Sequence, residues 1–90
     1  MISVIKKKIK VAAVFTDEEF PKPVWFIFNN EKIMIRQICY KWTERKGKWL
    51  NYKYTVTDNN SIYEIVFSSE NMSWKLEAFE DSAYYKFQRA

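Results

Sequence analysis

Between residues 41 and 54 the chain reads Lys-Trp-Thr-Glu-Arg-Lys-Gly-Lys-Trp-Leu-Asn-Tyr-Lys-Tyr, five cations against one glutamate, interleaved with four aromatic rings. Single-stranded nucleic acid is bound by that combination, cations following the phosphates while bases stack on ring faces. On this reading Lys41, Arg45, Lys46, Lys48 and Lys53 contact phosphates, and Trp42 and Trp49, which bracket the charged turn, are the stacking platforms. The same residues also admit a purely structural reading. Alternating aromatics on a strand commonly form core, and cations at a hairpin tip commonly stay in water. No RNP-type motif accompanies the stretch.

A second basic cluster, Lys6-Lys7-Lys8-Ile9-Lys10, lies near the N-terminus. Lysines on an edge strand block unwanted strand pairing. The alternatives are an extension of a phosphate-binding surface or a contact with anionic lipid. A formal net charge of +4 allows a polyanionic partner without requiring one.

Catalytic chemistry finds few residues to work with. The chain has no histidine and one cysteine, Cys39. A disulfide within the chain and a zinc site of Cys and His are therefore both excluded. Cys39, between Ile38 and Tyr40, has no histidine to activate it and is read as a packing thiol on the face opposite those neighbours. The densest carboxylates, Asp17-Glu18-Glu19 and then Glu80-Asp81, are better explained by a helix N-terminus than by acid–base or metal work. With a single glycine there is no phosphate-cradling loop. The expectation is a non-enzyme with no cofactor and no metal.

The elements that must position these residues show in the hydropathy pattern. Short segments of period-two alternation, rich in aromatic and β-branched residues, run from Ile9 to Phe79 and are separated by polar turns. Ile9, Val11, Ala13 and Phe15 face one way, with Lys8, Lys10, Ala12 and Val14 opposite. Thr16-Asp17-Glu18-Glu19 fits a capping box, and Pro21 and Pro23 stop any helix, so 16–22 is one helical turn (over 16–20) or a loop. Val24 to Phe28 is apolar on both faces, as in a central or doubly covered strand. Asn29-Asn30 supplies a tight turn.

From Lys32 to Trp42 the apolar phase slips from Ile33 and Ile35 to Ile38, Tyr40 and Trp42. The slip implies either a β-bulge in one long strand or two strands broken at Arg36. Gly47 stands where a left-handed turn residue is needed. Beyond it, Tyr52, Tyr54 and Val56 align. Tyr63, Ile65 and Phe67 face inward with Glu64 outward, and Trp74 and Leu76 form the last strand. The tail from Glu80, with Tyr84 and Phe87 at helical spacing, is a short helix packed on an open end of the sheet or a frayed terminus.

Ninety residues suit one domain, 1–90, with its core over 9–79. The fold class is all-β: an antiparallel meander of about six strands, curled into a small SH3-like or OB-like barrel or a strongly bent sheet. Seventeen aromatics, each able to bury roughly 150–250 Å², compensate for the short chain. Apolar runs of five residues are far too short to span a membrane, and the order Met1-Ile-Ser-Val-Ile before Lys6-Lys7-Lys8 reverses that of a signal peptide. A cytoplasmic location is expected, with no membrane partner.

Pro23-Val24-Trp25-Phe26-Ile27-Phe28, a tight turn, Ile33-Met34-Ile35, the flanking Trp42 and Trp49, Tyr63-Glu64-Ile65 and Trp74-Lys75-Leu76-Glu77 follow one another in an order with a parallel elsewhere. Over roughly residues 22–79 the chain resembles a small, uncharacterised bacterial domain family found alone or at the C-terminus of Y-family DNA-polymerase-like proteins. That resemblance implies an all-β fold and carries no site residues. This chain departs from the polymerase-linked members in being Lys-rich rather than Arg-rich, and it is expected to stand alone. Two functions remain: binding of single-stranded nucleic acid through the 41–54 hairpin, or a protein-interaction or oligomerisation module using a strand edge or aromatic patch.

Overall fold

The computed structural model describes residues 2–17 and 20–81, and within them every regular element is a strand. The strands are β1 (Ile2–Val14), β2 (Lys22–Phe28), β3 (Glu31–Met34), β4 (Gln37–Lys46), β5 (Trp49–Thr57), β6 (Ser61–Ser68) and β7 (Ser73–Asp81). They form one antiparallel seven-stranded sheet in the order β3-β2-β1-β7-β6-β5-β4, curled into a half-barrel. No helix among the described residues is long and apolar enough to cross a membrane.

Two meanders, β1-β2-β3 and β4-β5-β6-β7, are joined where β1 pairs with β7. β1 belongs to both halves. Its first part pairs with β7 from Ile2 to Ile9, and its second with β2 from Lys10 to Val14. Register shifts between Val4 and Lys7, where Lys6 has φ 51°, and between Ala12 and Ala13 bend the strand between these tasks. The strand thus starts well before Ile9, and Ile5 packs against the core together with Ile9, Val11 and Ala13. Phe15 stays exposed but sets its ring edge-on to Phe67, with centroids 5.7 Å apart.

Both alternatives raised by the phase slip after Ile35 are present, a strand break and a bulge, at different places. The chain breaks at Ile35-Arg36, which yields seven strands instead of six. The Ile35 N–H donates to the Val24 carbonyl at 3.0 Å and the Arg36 N–H to the Thr57 carbonyl at 2.8 Å. Neighbouring residues thereby tie β2 to β5, strands far apart in the sheet order, and this tie curls the sheet. A separate bulge follows between Ile38 and Tyr40. It moves Tyr40 and Trp42 to the face opposite Ile38, so the three do not line one face. Cys39, the extra residue, is exposed and is no packing thiol.

The turns follow their residue types. Asn29 and Asn30 have φ of 51° and 63°, the pair of positive values a two-residue hairpin turn requires, and Asn tolerates them better than other side chains. Gly47 has φ 60° at the first position of the Gly47-Lys48 turn between Lys46 and Trp49. At Asp58-Asn60 the carboxylate Oδ1 of Asp58 accepts the N–H groups of Asn60 and Ser61, each at 2.8 Å, an Asx-type turn. The 16–22 segment shows no helix among its described residues. Glu18 and Glu19 lie outside them; Glu80 and Asp81, read as the start of the tail, are instead the end of β7, and the rest of the expected tail helix lies outside the described residues.

The concave face holds Phe26, Ile33, Tyr54, Val56, Tyr63, Ile65, Phe67, Trp74 and Leu76, all buried and mutually packed. Their rings interlock: Phe67 lies 4.9 Å from Trp74, Phe26 5.1 Å from Tyr63 and Tyr54 5.7 Å from Trp74. Tilted and edge-on pairs of this kind add about 0.5–1.5 kcal/mol each beyond their area. The Tyr54 hydroxyl donates to the Pro21 carbonyl, anchoring the β1–β2 connection to β5. Burial pushes the Tyr54 phenol well above its usual range. Burial, reinforced by the Asp58 carboxylate, pushes Tyr63 up to about 12.

Candidate functional site on the β4–β5 hairpin

Among the described residues β4 is an edge strand, paired with β5 alone, and its register fixes which side chains share a face. Trp42 stands opposite Lys53, Glu44 opposite Asn51, Lys46 opposite Trp49 and Tyr40 opposite Thr55. Directly paired residues in an antiparallel ladder lie on one face. These eight are therefore on the convex side, away from the core. The other alternation, Lys41, Thr43 and Arg45, pairs with Tyr54, Tyr52 and Leu50 on the concave side.

The seven residues singled out from the sequence accordingly divide. Trp42, Lys46, Trp49 and Lys53 are together on the convex face. Lys41 and Arg45 are on the other side, with the Lys41 Nζ 5.0 Å from the centroid of the Phe20 ring. Lys48, in the turn, reaches its Nζ to 5.3 Å from the centroid of Trp49. A strand's period of two separates cations that a linear reading groups.

On the convex face two aromatic sites stand apart by four residues of strand, about 13 Å at ~3.3 Å per residue. The first is Tyr40 against Trp42, with centroids 5.2 Å apart and planes inclined by 32°. Tyr40 is 65% exposed and Trp42 half-buried. The second is Trp49, 37% exposed, between Lys46 and Lys48. Beside the first, the Lys53 Nζ lies 3.6 Å from the Glu44 Oε2. Glu44 is 60% exposed but the Lys53 side chain only 17%, so a phosphate reaches this lysine by displacing the Glu44 carboxylate.

Tyr40 was missed as a site residue because the alternation Ile38-Tyr40-Trp42 reads as a single inward face. Only the bulge at Cys39 reveals otherwise, and the mild signal for it is the polar run after Trp42. Among the described residues, no three His, Cys, Asp or Glu side chains gather closely enough to hold a metal ion. Cys39 has no such cluster around it either. No protein-family profile, curated protein or solved structure matches this chain.

Proposed function

We propose that this protein is a non-catalytic β module that binds single-stranded nucleic acid on the convex face of the β4–β5 hairpin. The observation that carries this reading is the convex Tyr40–Trp42 ring pair, Tyr40 exposed and Trp42 half-buried, sharing one face with Trp49, Lys46 and Lys53. Large rings left in water on an edge strand do not serve the core, and cations beside them suit a ligand that is both flat and anionic. The bases stack on Tyr40–Trp42 and on Trp49, while Lys46, Lys48 and Lys53 meet the phosphates. Lys41 and Arg45, on the concave side, take no part.

The test is a fluorescence titration with oligothymidylate at two salt concentrations, for the wild type and Trp42→Ala. Base stacking on an aromatic side chain contributes about 1–3 kcal/mol, so losing Trp42 is expected to weaken binding by roughly 5- to 150-fold. Binding that is absent at low salt, or indifferent to the loss of Trp42, removes the proposal.

A second reading has its own observation: among the described residues β4 has a neighbour on one side alone, and an unpaired strand edge is a template for β-strand addition by another chain. Light scattering that shows size growing with protein concentration, without any response to oligonucleotide, would favour it.

A further inference from the structure

Following the register beyond the hairpin brings distant lysines into one line. Trp42 on β4 stands opposite Lys53 on β5, Lys53 opposite Val66 on β6, Val66 opposite Lys75 on β7, and Lys75 opposite Lys8 on β1. This row crosses five strands at right angles to them and covers about 19 Å at ~4.8 Å per strand. Lys8 and Lys75 are exposed, and Val66, only 4% exposed, lies between Lys53 and Lys75 outside the core cluster.

Like charges directly opposite each other on neighbouring strands are destabilising, and Lys8–Lys75 is such a pair. Folding gains nothing from it. An anion between them does. Beside this row runs a second one, Glu44, Asn51, Ser68 and Ser73, in register on the same face and neutral beyond Glu44. On the other side the face turns acidic at Glu64, opposite Thr55. The cationic row is thus a bounded strip.

Its far end opens into a groove. Where β1 leaves β2 to follow β7, a cleft of about 570 Å³ is lined by Lys7, Lys8, Lys10, Ile27, Asn29 and Asn30. The strip and the groove meet at Lys8.

We infer that the phosphate backbone of a bound single strand does not end at the hairpin but continues across the convex face, from the Tyr40–Trp42 pair over Lys53, Lys75 and Lys8 into this groove. This inference rests on the nucleic-acid reading of the hairpin and adds its direction and its second cationic anchor. The length of the row corresponds to a site of about four nucleotides, the lower end for small β modules. The lysines of the N-terminal cluster then serve as ligand contacts as well as guards of an open strand edge.

The test uses the whole protein and a fluorescently labelled oligothymidylate of about twelve nucleotides, with anisotropy followed over a range of salt. In the doubly substituted Lys8→Gln, Lys75→Gln protein two phosphate contacts are lost. The slope of log K against log salt should fall by about 1.4, and low-salt affinity several-fold. A control with the same charge change, Lys22→Gln with Lys41→Gln, should leave the slope unchanged. Lys75→Glu separates ligand binding from folding: by placing opposite charges across β1 and β7 it should raise the melting temperature while weakening binding. Equal effects of the two glutamine pairs would overturn the track and leave a non-specific charge effect. Binding that depends on Trp42 but not on Lys8 and Lys75 would overturn the track alone, whereas wild-type protein that binds no oligonucleotide would overturn the hairpin reading with it.

Discussion

Replacing Tyr54 by Phe isolates one hydrogen bond on which the β1–β2 connection depends. The ring, fully buried against Trp74 and Phe20, is kept, so the packing contacts survive. What is lost is the donor to the Pro21 carbonyl, a group on a buried residue 33 positions away in sequence. The bond itself contributes about 0.5–1.5 kcal/mol, and a buried carbonyl left without a donor costs about 1–3 kcal/mol where water cannot reach it. A destabilisation of about 1.5 kcal/mol is expected, which in a chain of this size lowers the melting temperature by roughly 6–12 °C. Urea denaturation read by circular dichroism measures it. Tyr63→Phe is the internal reference, because the Tyr63 hydroxyl meets Asp58 only at 3.4 Å and so contributes about 0.5 kcal/mol or less. If the two variants prove equally stable, or if Tyr54→Phe matches the wild type within about 0.3 kcal/mol, the Pro21 anchor has no energetic weight.

Alkaline pH should act through the same tyrosines. Both are raised above the unfolded value near 10, Tyr63 to about 12, so the folded chain holds protons that the unfolded chain releases. Stability is then complete below pH ~10 and falls as pH rises through the folded values, by up to about 2.7 kcal/mol per pH unit for two such groups. Denaturation curves at successive pH values, with Tyr54→Phe halving the slope, check this. Cys39 is exposed, so a thiol reagent should label it in the native protein without delay, and Cys39→Ser should change stability by no more than about 0.5 kcal/mol. Slow, unfolding-limited labelling would contradict its position at the bulge. Gly47→Ala meets no atom of the described residues within 4 Å but must hold φ 60°, so a loss of about 1 kcal/mol is expected in thermal melts, from the backbone alone.

The concave face was legible in the sequence because burial on one side enforces a period of two. Tyr52-Tyr54-Val56, Tyr63-Ile65-Phe67 and Trp74-Leu76 lie where their alternation puts them. The paired asparagines and Gly47 marked their turns through the conformations those residues favour. The convex face was not legible to the same degree. A bulge of one residue at Cys39 reverses the facing of everything after it, and alternating hydropathy cannot distinguish Ile38-Tyr40-Trp42 on one face from the same residues split over two. Lys41 and Arg45 were grouped with Trp42 and Lys53 because they adjoin them in the chain. Pairing sets them on opposite sides. The alignment of Lys8 with Lys75 and Lys53 depends on three successive registers, which are set by hydrogen bonding between strands distant in sequence.

The most direct measurement is a two-dimensional amide and indole NMR titration of the protein with oligothymidylate. Saturable shifts are expected at Tyr40, Trp49 and Lys53, at the Trp42 indole N–H, and onward at Lys75 and Lys8, with Thr43 and Arg45 on the concave side nearly still. Shifts centred on Lys41, Thr43 and Arg45, or a spectrum unmoved at saturating ligand, would contradict a nucleic-acid site on the convex face.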